Sequence, residues 1–329
     1  GRFLSTSPVF SSTASESGDV IFSAELQADG SVITRFLPGS GLTVDEIIEL
    51  IRKALSSSQT DATTSASFIS SLTSDQNLAT LYIAPNSNLS DDALSLCIGA
   101  AGVSNPRMRG LVEQAVTQAG IEKWELVGDH EIALWGALEG KPGISLVAGT
   151  GSICCGRNAE GDTLRAGGWG HLIGDEGSGY AIGRDVIKAV SHLWDGYGAP
   201  TCLAELLAEQ FHLDDRQKVI AYVYKNDKSH VAQLSRLAET AAARRDVVAL
   251  HILQDNACQV SCQVAAVVNG LHMEQGEVAL LGGLLENDTV YRKFVVEEIE
   301  KSCPGFRCVA PRQNAAVGAV MMAQNLLEK

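Results

Sequence analysis

The chain has 329 residues, which is long enough for two domains that each bury a hydrophobic core. Its content of 45% hydrophobic and 19% charged residues is ordinary for a globular protein. The net charge of −14 argues against nucleic acid or an anionic membrane surface as the main partner.

The eight cysteines show neither a Cys-x-x-Cys pair nor a metal-ligand spacing with histidine. Cys97, Cys154 and Cys155 lie in apolar runs, where free cysteine behaves as a small buried hydrophobe. We therefore expect reduced thiols, as in a cytoplasmic protein. We expect no membrane span, because no apolar run is long enough, and no signal peptide, because the first residues lack its pattern.

The first part of the chain has mixed patterns. Residues 19–25 and 31–37 alternate apolar and polar side chains around an Asp-Gly turn, which predicts a β-hairpin. Residues 43–55 begin with a Thr N-cap and acidic first-turn residues, and they predict an amphipathic helix. Residues 56–92 are rich in Ser, Thr and Ala and predict a mobile surface insertion.

Strands and helices alternate after residue 93, which predicts a parallel or mixed sheet with right-handed crossovers. The predicted strands cover 94–99, 124–127, 146–148, 153–157, 278–281 and 306–310. The predicted helices cover 106–119, 132–138, 183–195, 201–210, 214–226, 229–243, 246–270, 290–301 and 314–327.

Residues 146–179 have the densest pattern of glycines and polar residues. A short strand breaks into the glycine-rich turn 149–152, whose unpaired N–H groups suit a phosphate. Residues 167–170 and 175–179 place glycines beside Trp, Asp and Glu, a composition that packs poorly but lets backbone approach a small polar ligand.

The run GGWGHLIGDEGSGYAIGRD at 167–185, with AGTGS at 148–152, resembles the N-acetylglucosamine kinase group within the BadF/BadG/BcrA/BcrD ATPase family. The resemblance extends from about Leu96 to the C-terminus. It implies an α/β, two-domain actin-like ATPase (ribonuclease H-like) fold with an interdomain cleft. We accordingly expect an N-terminal domain at 1–130, a C-terminal domain with a helical subdomain at 131–313, and a final helix at 314–329 that packs on the first domain.

The resemblance also implies a reaction, the ATP-dependent phosphorylation of an amino sugar such as N-acetylglucosamine at its primary hydroxyl, with ATP and Mg²⁺. The expected partners are these small molecules, a homodimer is left open, and no metal ligand is assigned. The family motifs assign Asp129 as the catalytic base. They assign an ATP site to Gly149, Thr150, Gly151, Gly282 and Gly283, and a sugar site to Ser152, Gly168, Trp169, Gly170, Asp175 and Glu176.

Several simpler interpretations stay open. Asp129 could be the N-cap of a helix that begins near Ile132, and Gly282-Gly283 could be an ordinary turn. Trp169 could belong to the core, and Asp175 and Glu176 could cap the helix that follows them.

Two other functions also stay open. The family's Asp-Gly-Gly-Gly-Thr phosphate turn is expected at residues 9–13, which read Val-Phe-Ser-Ser-Thr. The chain could therefore be a non-catalytic sugar- or nucleotide-binding relative. It could also be an ATPase that activates a partner redox enzyme.

Overall fold

The computed structural model describes residues 122–328 continuously and, before them, residues 8–11, 23–26, 32–36, 66–73, 76–85, 94–100, 103 and 106–118. The chain forms two compact units. Unit 1 comprises residues 1–141 and 312–329, and unit 2 comprises residues 142–311. The first unit therefore ends at residue 141 rather than at the expected residue 130.

The strands are, in chain order, β1 (Pro8–Ser11), β2 (Ser23–Leu26), β3 (Val32–Phe36), β4 (Ala66–Thr73), β5 (Gln76–Pro85), β6 (Leu94–Ala100), β7 (Lys123–Gly128), β8 (Gly143–Ala148), β9 (Ser152–Arg157), β10 (Thr163–Gly167), β11 (Gly276–Leu281) and β12 (Phe306–Val309). The described helices are α1 (Pro106–Gln118), α2 (Asp129–Leu138), α3 (Gly179–Trp194), α4 (Leu203–Phe211), α5 (Arg216–Lys225), α6 (Lys228–Gln233), α7 (Ser235–Ala243), α8 (Val247–Gly270), α9 (Val290–Ser302) and α10 (Ala315–Glu328).

Unit 1 contains a mixed seven-stranded sheet in which β1 to β7 follow one another in chain order. Strands β2 and β3 are antiparallel, with Glu25 opposite Ile33, which confirms the predicted hairpin. Strands β6 and β7 are parallel, with Leu96 opposite Trp124, as expected for a strand–helix–strand crossover.

Within the predicted insertion at 56–92 the structure describes two strands that the sequence did not predict, β4 and β5. The two strands pair with each other, and β5 also pairs with β3 and β6. The Ser and Ala content favours a surface segment, but the strands also contain Phe68, Ile69, Tyr82 and Ile83, residue types that favour extended backbone. The helix predicted at 43–55 lies outside the described residues.

The C-terminal helix α10 packs on α2 within unit 1, and glycines on both helices allow a close approach. A Cβ on Gly318 would lie 1.9 Å from the carbonyl oxygen of Ile132, and a Cβ on Gly136 would lie 2.1 Å from that of Asn314. In β6, Ser95 Oγ donates a hydrogen bond to the carbonyl of Ala323 at 2.6 Å. Helix α10 therefore completes the core of unit 1 although it comes last in the chain.

Unit 2 contains a mixed five-stranded sheet in the order β10-β9-β8-β11-β12. Strands β8, β11 and β12 are parallel, while β9 and β10 are antiparallel additions. The core of this unit joins Ile144 and Leu146 of β8 to Val260 and Val264 of the long helix α8. Strand β10 was not predicted, and the helix predicted at 229–243 divides into α6 and α7 at Leu234.

All eight cysteines lie among the described residues, and none of them forms a disulfide bond. Burial raises the pKa of the Cys154 thiol well above its ordinary value, so this side chain stays a protonated hydrophobe in the core. Within the described part of the chain, no helix combines the length and the apolar character needed to cross a bilayer.

Candidate functional site

The hairpin between β8 and β9 places residues 149–151 at the edge of the sheet of unit 2. The carbonyl oxygens of Gly149 and Thr150 accept hydrogen bonds from Gly179 N at 2.8 Å and Tyr180 N at 3.2 Å. The first N–H groups of α3 are therefore already bonded. Within the described residues the N–H groups of Thr150 and Gly151 donate to no backbone partner in this turn, which leaves them available to an anion.

The glycines after β11 lie beside this turn. Strands β11 and β8 are parallel with Leu281 opposite Val147, so Gly282 follows at the same carboxyl edge as Gly149. Gly282 has φ +90°, and a Cβ on it would lie 2.4 Å from the carbonyl oxygen of Ala148. Gly283 is exposed and faces open space. The structure thus brings together the two segments predicted to bind ATP.

The carboxylate of Asp175 lies directly against the glycine turn. A Cβ on Gly151 would lie 2.9 Å from Asp175 Oδ2, so only glycine fits there without displacing the carboxylate. Asp175 is 4% exposed and has φ +60°, a backbone conformation that is strained for a residue with a side chain. Burial raises the pKa of Asp175, while a hydrogen bond from the Ser152 backbone and the charge of Lys228 act in the opposite direction.

Ser152 links the two loops of the candidate sugar site. Its Oγ donates to the carbonyl of Glu176 at 2.7 Å, and its own carbonyl accepts from Gly168 N at 3.1 Å. Gly168 has φ +69° and passes close over β9, because a Cβ there would lie 2.7 Å from Ile153 Cδ1. The predicted residues Ser152, Gly168, Asp175 and Glu176 therefore form one group in unit 2.

The loop from Trp169 to Gly174 exposes three large apolar side chains. Gly170 O accepts from the N–H groups of Ile173 at 3.2 Å and Gly174 at 2.8 Å, which closes a turn. Trp169 is 69% exposed, Leu172 86% and Ile173 77%. Trp169 is therefore not a core residue, which excludes that interpretation.

Helix α3 is capped by neither of the two acidic residues that precede it. Its N-cap is Ser178, whose side chain accepts a hydrogen bond from Ala181 N at 3.1 Å. The capping interpretation of Asp175 and Glu176 was therefore wrong, because helix α3 begins at Gly179 instead of the predicted residue 183.

Asp129 lies in unit 1, at the carboxyl end of β7. It is the first residue of α2 rather than its N-cap, which is Gly128. The N–H of Gly128 donates to Glu131 Oε1 at 2.9 Å, so Glu131 supplies the capping bond. Asp129 Oδ1 accepts from the N–H of His130 at 2.9 Å, and its side chain is 42% exposed. The N-cap interpretation of Asp129 is thus wrong.

Two buried polar side chains near the site were not anticipated from the sequence. Asn256 of α8 is 1% exposed and Tyr291 of α9 is 0% exposed, and both form hydrogen bonds with Gly177. The position of Asn256 on an apolar helix face, between Leu253 and Val260, was the one signal that could have identified it.

No group of three His, Cys, Asp or Glu side chains that could hold a metal ion occurs among the described residues. Nucleotide-bound Mg²⁺ is usually held by one or two carboxylates together with the phosphates and water. The described residues therefore do not identify a protein ligand for such an ion.

Comparisons with known proteins agree on one family. The sequence model described as the BadF/BadG/BcrA/BcrD ATPase family matches residues 29–323. The N-acetylmuramic acid/N-acetylglucosamine kinase of Clostridium acetobutylicum is 35% identical over 244 residues, which are 71% of this chain and 78% of that protein. The N-acetyl-D-glucosamine kinase of Dictyostelium discoideum is 30% identical over 240 residues, which are 70% of this chain and 75% of that protein.

A solved structure shows the fold. A protein of Chromobacterium violaceum, provisionally named an N-acetylglucosamine kinase, has a TM-score of 0.59 to this chain at 23% identity. The match covers 93% of this chain and 94% of that one. The two units therefore have the fold of that protein, the actin-like fold of sugar kinases.

Proposed function

The chain belongs to the BadF/BadG/BcrA/BcrD ATPase family, and we propose that it is an ATP-dependent kinase that phosphorylates an amino sugar such as N-acetylglucosamine at its primary hydroxyl. The names of the two relatives at 35% and 30% identity support this substrate class. Within the structure, the proposal depends on one contact above all: the glycine turn suited to phosphate lies against the buried carboxylate of Asp175.

The phosphate side of the site would consist of backbone groups. The N–H groups of Thr150 and Gly151 would donate to phosphate oxygens, and Gly282-Gly283 would leave room for the rest of the nucleotide. Preorganised amides of this kind stabilise charge that develops during phosphoryl transfer without having to reorganise. Mg²⁺ bound with ATP would neutralise further phosphate charge.

The sugar side would consist of the loops held by Ser152. Ionised Asp175 accepts hydrogen bonds, and a carboxylate that receives them from sugar hydroxyls forms the stronger, charge-assisted kind. Glu176, Gly168 and Gly170 would supply further polar contacts. The exposed ring of Trp169 offers an apolar face of the kind on which a hexose ring packs.

Asp129 is proposed as the general base that accepts the proton of the attacking hydroxyl. Its carboxylate is exposed, lies at a strand end and is not needed to cap α2. We also propose the cytoplasm as the compartment, because eight cysteines outside disulfide bonds suit a reducing environment.

The direct test is to measure ADP release from ATP and Mg²⁺ with a panel of hexoses and amino sugars, with the product identified by phosphorus NMR. We expect turnover with an N-acetylated amino sugar and a phosphate on its primary hydroxyl. Sugar binding without turnover would instead identify a non-catalytic relative, and phosphorylation of plain hexoses alone would overturn the amino-sugar assignment.

A further inference from the structure

The acidic loop of the candidate sugar site, residues 175–178, forms a four-residue turn that contains Gly177. Ser178 N donates to the carbonyl of Asp175 at 3.1 Å, which closes a four-residue turn from Asp175 to Ser178. Gly177 occupies the third position of this turn with φ +73°, where glycine is the residue best tolerated. The orientation of Asp175 therefore depends on the position of Gly177.

Two buried side chains hold both backbone polar groups of Gly177. Its N–H donates to Asn256 Oδ1 at 3.2 Å, and its carbonyl accepts from Tyr291 Oη at 2.6 Å. Burial raises the pKa of the Tyr291 hydroxyl far above its ordinary value, so this group stays protonated and remains a donor. We call Asn256 and Tyr291 together the Gly177 clamp.

The clamp is itself anchored to two neighbouring helices, α3 and α7. Asn256 Nδ2 donates to Asp185 Oδ2 in α3 at 3.0 Å and to the carbonyl of Ile252 at 2.9 Å. The N–H of Tyr291 donates to Glu239 Oε1 in α7 at 2.9 Å, so the start of α9 is also fixed. Each clamp residue thus has one bond to the turn and further bonds to rigid elements, the usual arrangement of a supporting shell around a site.

Helix α8 packs along one face against the Gly177 turn and against strands β9 and β10. Residues on that face, spaced by three or four positions, touch glycines that have no room for a Cβ. A Cβ on Gly177 would lie 2.2 Å from the Val260 side chain. A Cβ on Gly167 would lie 2.5 Å from Gln263, and one on Gly156 would lie 2.5 Å from Val267. Asn256 of the clamp therefore lies on the same face of α8 as the side chains that contact these glycines.

We propose that Asn256 and Tyr291 are positioning residues of the sugar site: they fix Gly177 and, through the turn, keep the Asp175 carboxylate in the orientation that receives the sugar. This inference rests on the proposed function. It assigns no contact with substrate to either clamp residue. It also explains why a strained Asp175 persists, because the surrounding bonds compensate for its unfavourable backbone conformation.

The first test is the pair of variants Tyr291→Phe and Tyr222→Phe. Each removes only a hydroxyl that donates to a backbone carbonyl, since Tyr222 Oη donates to His230 O at 3.0 Å between α5 and α6. We expect Tyr291→Phe to raise KM for the amino sugar by about 10- to 100-fold, the effect of a misplaced binding group. KM for ATP should change far less, because Gly179 and Tyr180 hold the turn 149–151 independently.

A merely structural role would give a different result. It would lower the active fraction, and therefore the apparent kcat, while leaving KM for the sugar unchanged. An unchanged KM for the sugar in Tyr291→Phe, or an equal rise in Tyr222→Phe, would overturn the inference.

Hydrogen exchange of the Gly177 amide tests the Gly177 clamp whether or not the protein is an amino-sugar kinase. Asn256→Ala should speed that exchange, because the N–H loses its acceptor, whereas Tyr222→Phe should leave it at the wild-type rate. If the wild type phosphorylates no amino sugar, the proposed function fails, and this measurement then decides whether Asn256 holds the turn. Exchange at the wild-type rate in folded Asn256→Ala would refute the clamp.

Discussion

The carboxylate of Asp175 occupies the space that a side chain on Gly151 would need, since a Cβ there would lie 2.9 Å from Oδ2 and 3.2 Å from Cγ. The turn suited to phosphate and the loop suited to a sugar therefore share one wall. A side chain added to Gly151, which would push on both the turn and the carboxylate, should therefore affect ligands on both sides.

Gly151→Ala should weaken binding of both nucleotide and sugar. The added methyl must displace a buried carboxylate, and overpacking of this kind costs about 1–3 kcal/mol. Calorimetric titration with each ligand measures the effect. The control is Gly110→Ala in α1, where the Cβ faces open space and should stabilise the helix by about 0.5–1 kcal/mol. Wild-type affinity for both ligands in Gly151→Ala would contradict the shared wall.

Asp175→Asn should stabilise the fold at pH 7 while weakening sugar binding. Because the pKa of Asp175 is raised in the folded protein, the ionised carboxylate costs folding free energy above that pKa. The stability gap between variant and wild type should narrow as pH falls through the raised pKa, and close below the ordinary value of 3.8. Thermal unfolding of both proteins between pH 7 and about pH 3 measures this difference in stability.

The same variant loses charge-assisted hydrogen bonds to the sugar, each worth about 1.5–3 kcal/mol. Asp162→Asn is the matched control, since Asp162 is an exposed carboxylate in the turn between β9 and β10. It should change neither stability nor sugar affinity to a comparable degree. A destabilised Asp175→Asn at neutral pH would show that the bond from Ser152 and the charge of Lys228 outweigh burial.

Gly282→Ala should reduce affinity for ATP more than backbone strain alone can explain. Gly161, in the turn after β9, has φ +91° against +90° at Gly282, but a Cβ on Gly161 meets no atom within 4 Å. Both substitutions incur the cost of left-handed backbone, about 1–2 kcal/mol. Gly282→Ala also collides with the carbonyl of Ala148, so ATP affinity should fall in this variant and stay unchanged in Gly161→Ala. Equal nucleotide binding in the two variants would argue against a nucleotide at Gly282.

Asp129→Asn should lower kcat by about 10²–10⁴ while sugar binding changes little, because loss of a general base affects the chemical step. The fold should be retained, since Glu131 and not Asp129 caps α2. Glu113→Gln, a change to an exposed carboxylate in α1, should leave kcat intact. Turnover in Asp129→Asn within a few-fold of the wild type would exclude Asp129 as the base.

Strong periodicity made much of the chain predictable. Helix α8 was predicted at 246–270 and observed at Val247–Gly270, and α9 was predicted at 290–301 and observed at Val290–Ser302. Both alternate buried and exposed faces over several turns, which leaves little ambiguity. Segments with short or weak patterns were missed, as β4 and β10 show.

The sequence also indicated which residues of unit 2 would assemble, because glycine-rich turns and strand ends have local signatures. It did not indicate the clamp. Asn256 and Tyr291 reach Gly177 across sequence separations of 79 and 114 residues, and no local pattern encodes such a contact. The start of α2 was placed three residues late, because Asp129 looks like an N-cap, whereas Gly128 and Glu131 share that role.

The dependence of unit 1 on the final helix sets an order of events during synthesis on the ribosome. Unit 2 is one unbroken stretch, residues 142–311, so every segment of its core is synthesised before α10. The core of unit 1 stays open at α2 until residues 312–329 appear, since Gly318 must reach the carbonyl of Ile132. A chain released before α10 is made therefore contains all of unit 2 but an incomplete core in unit 1, and the apolar surface that this core exposes is of the kind that chaperones recognise.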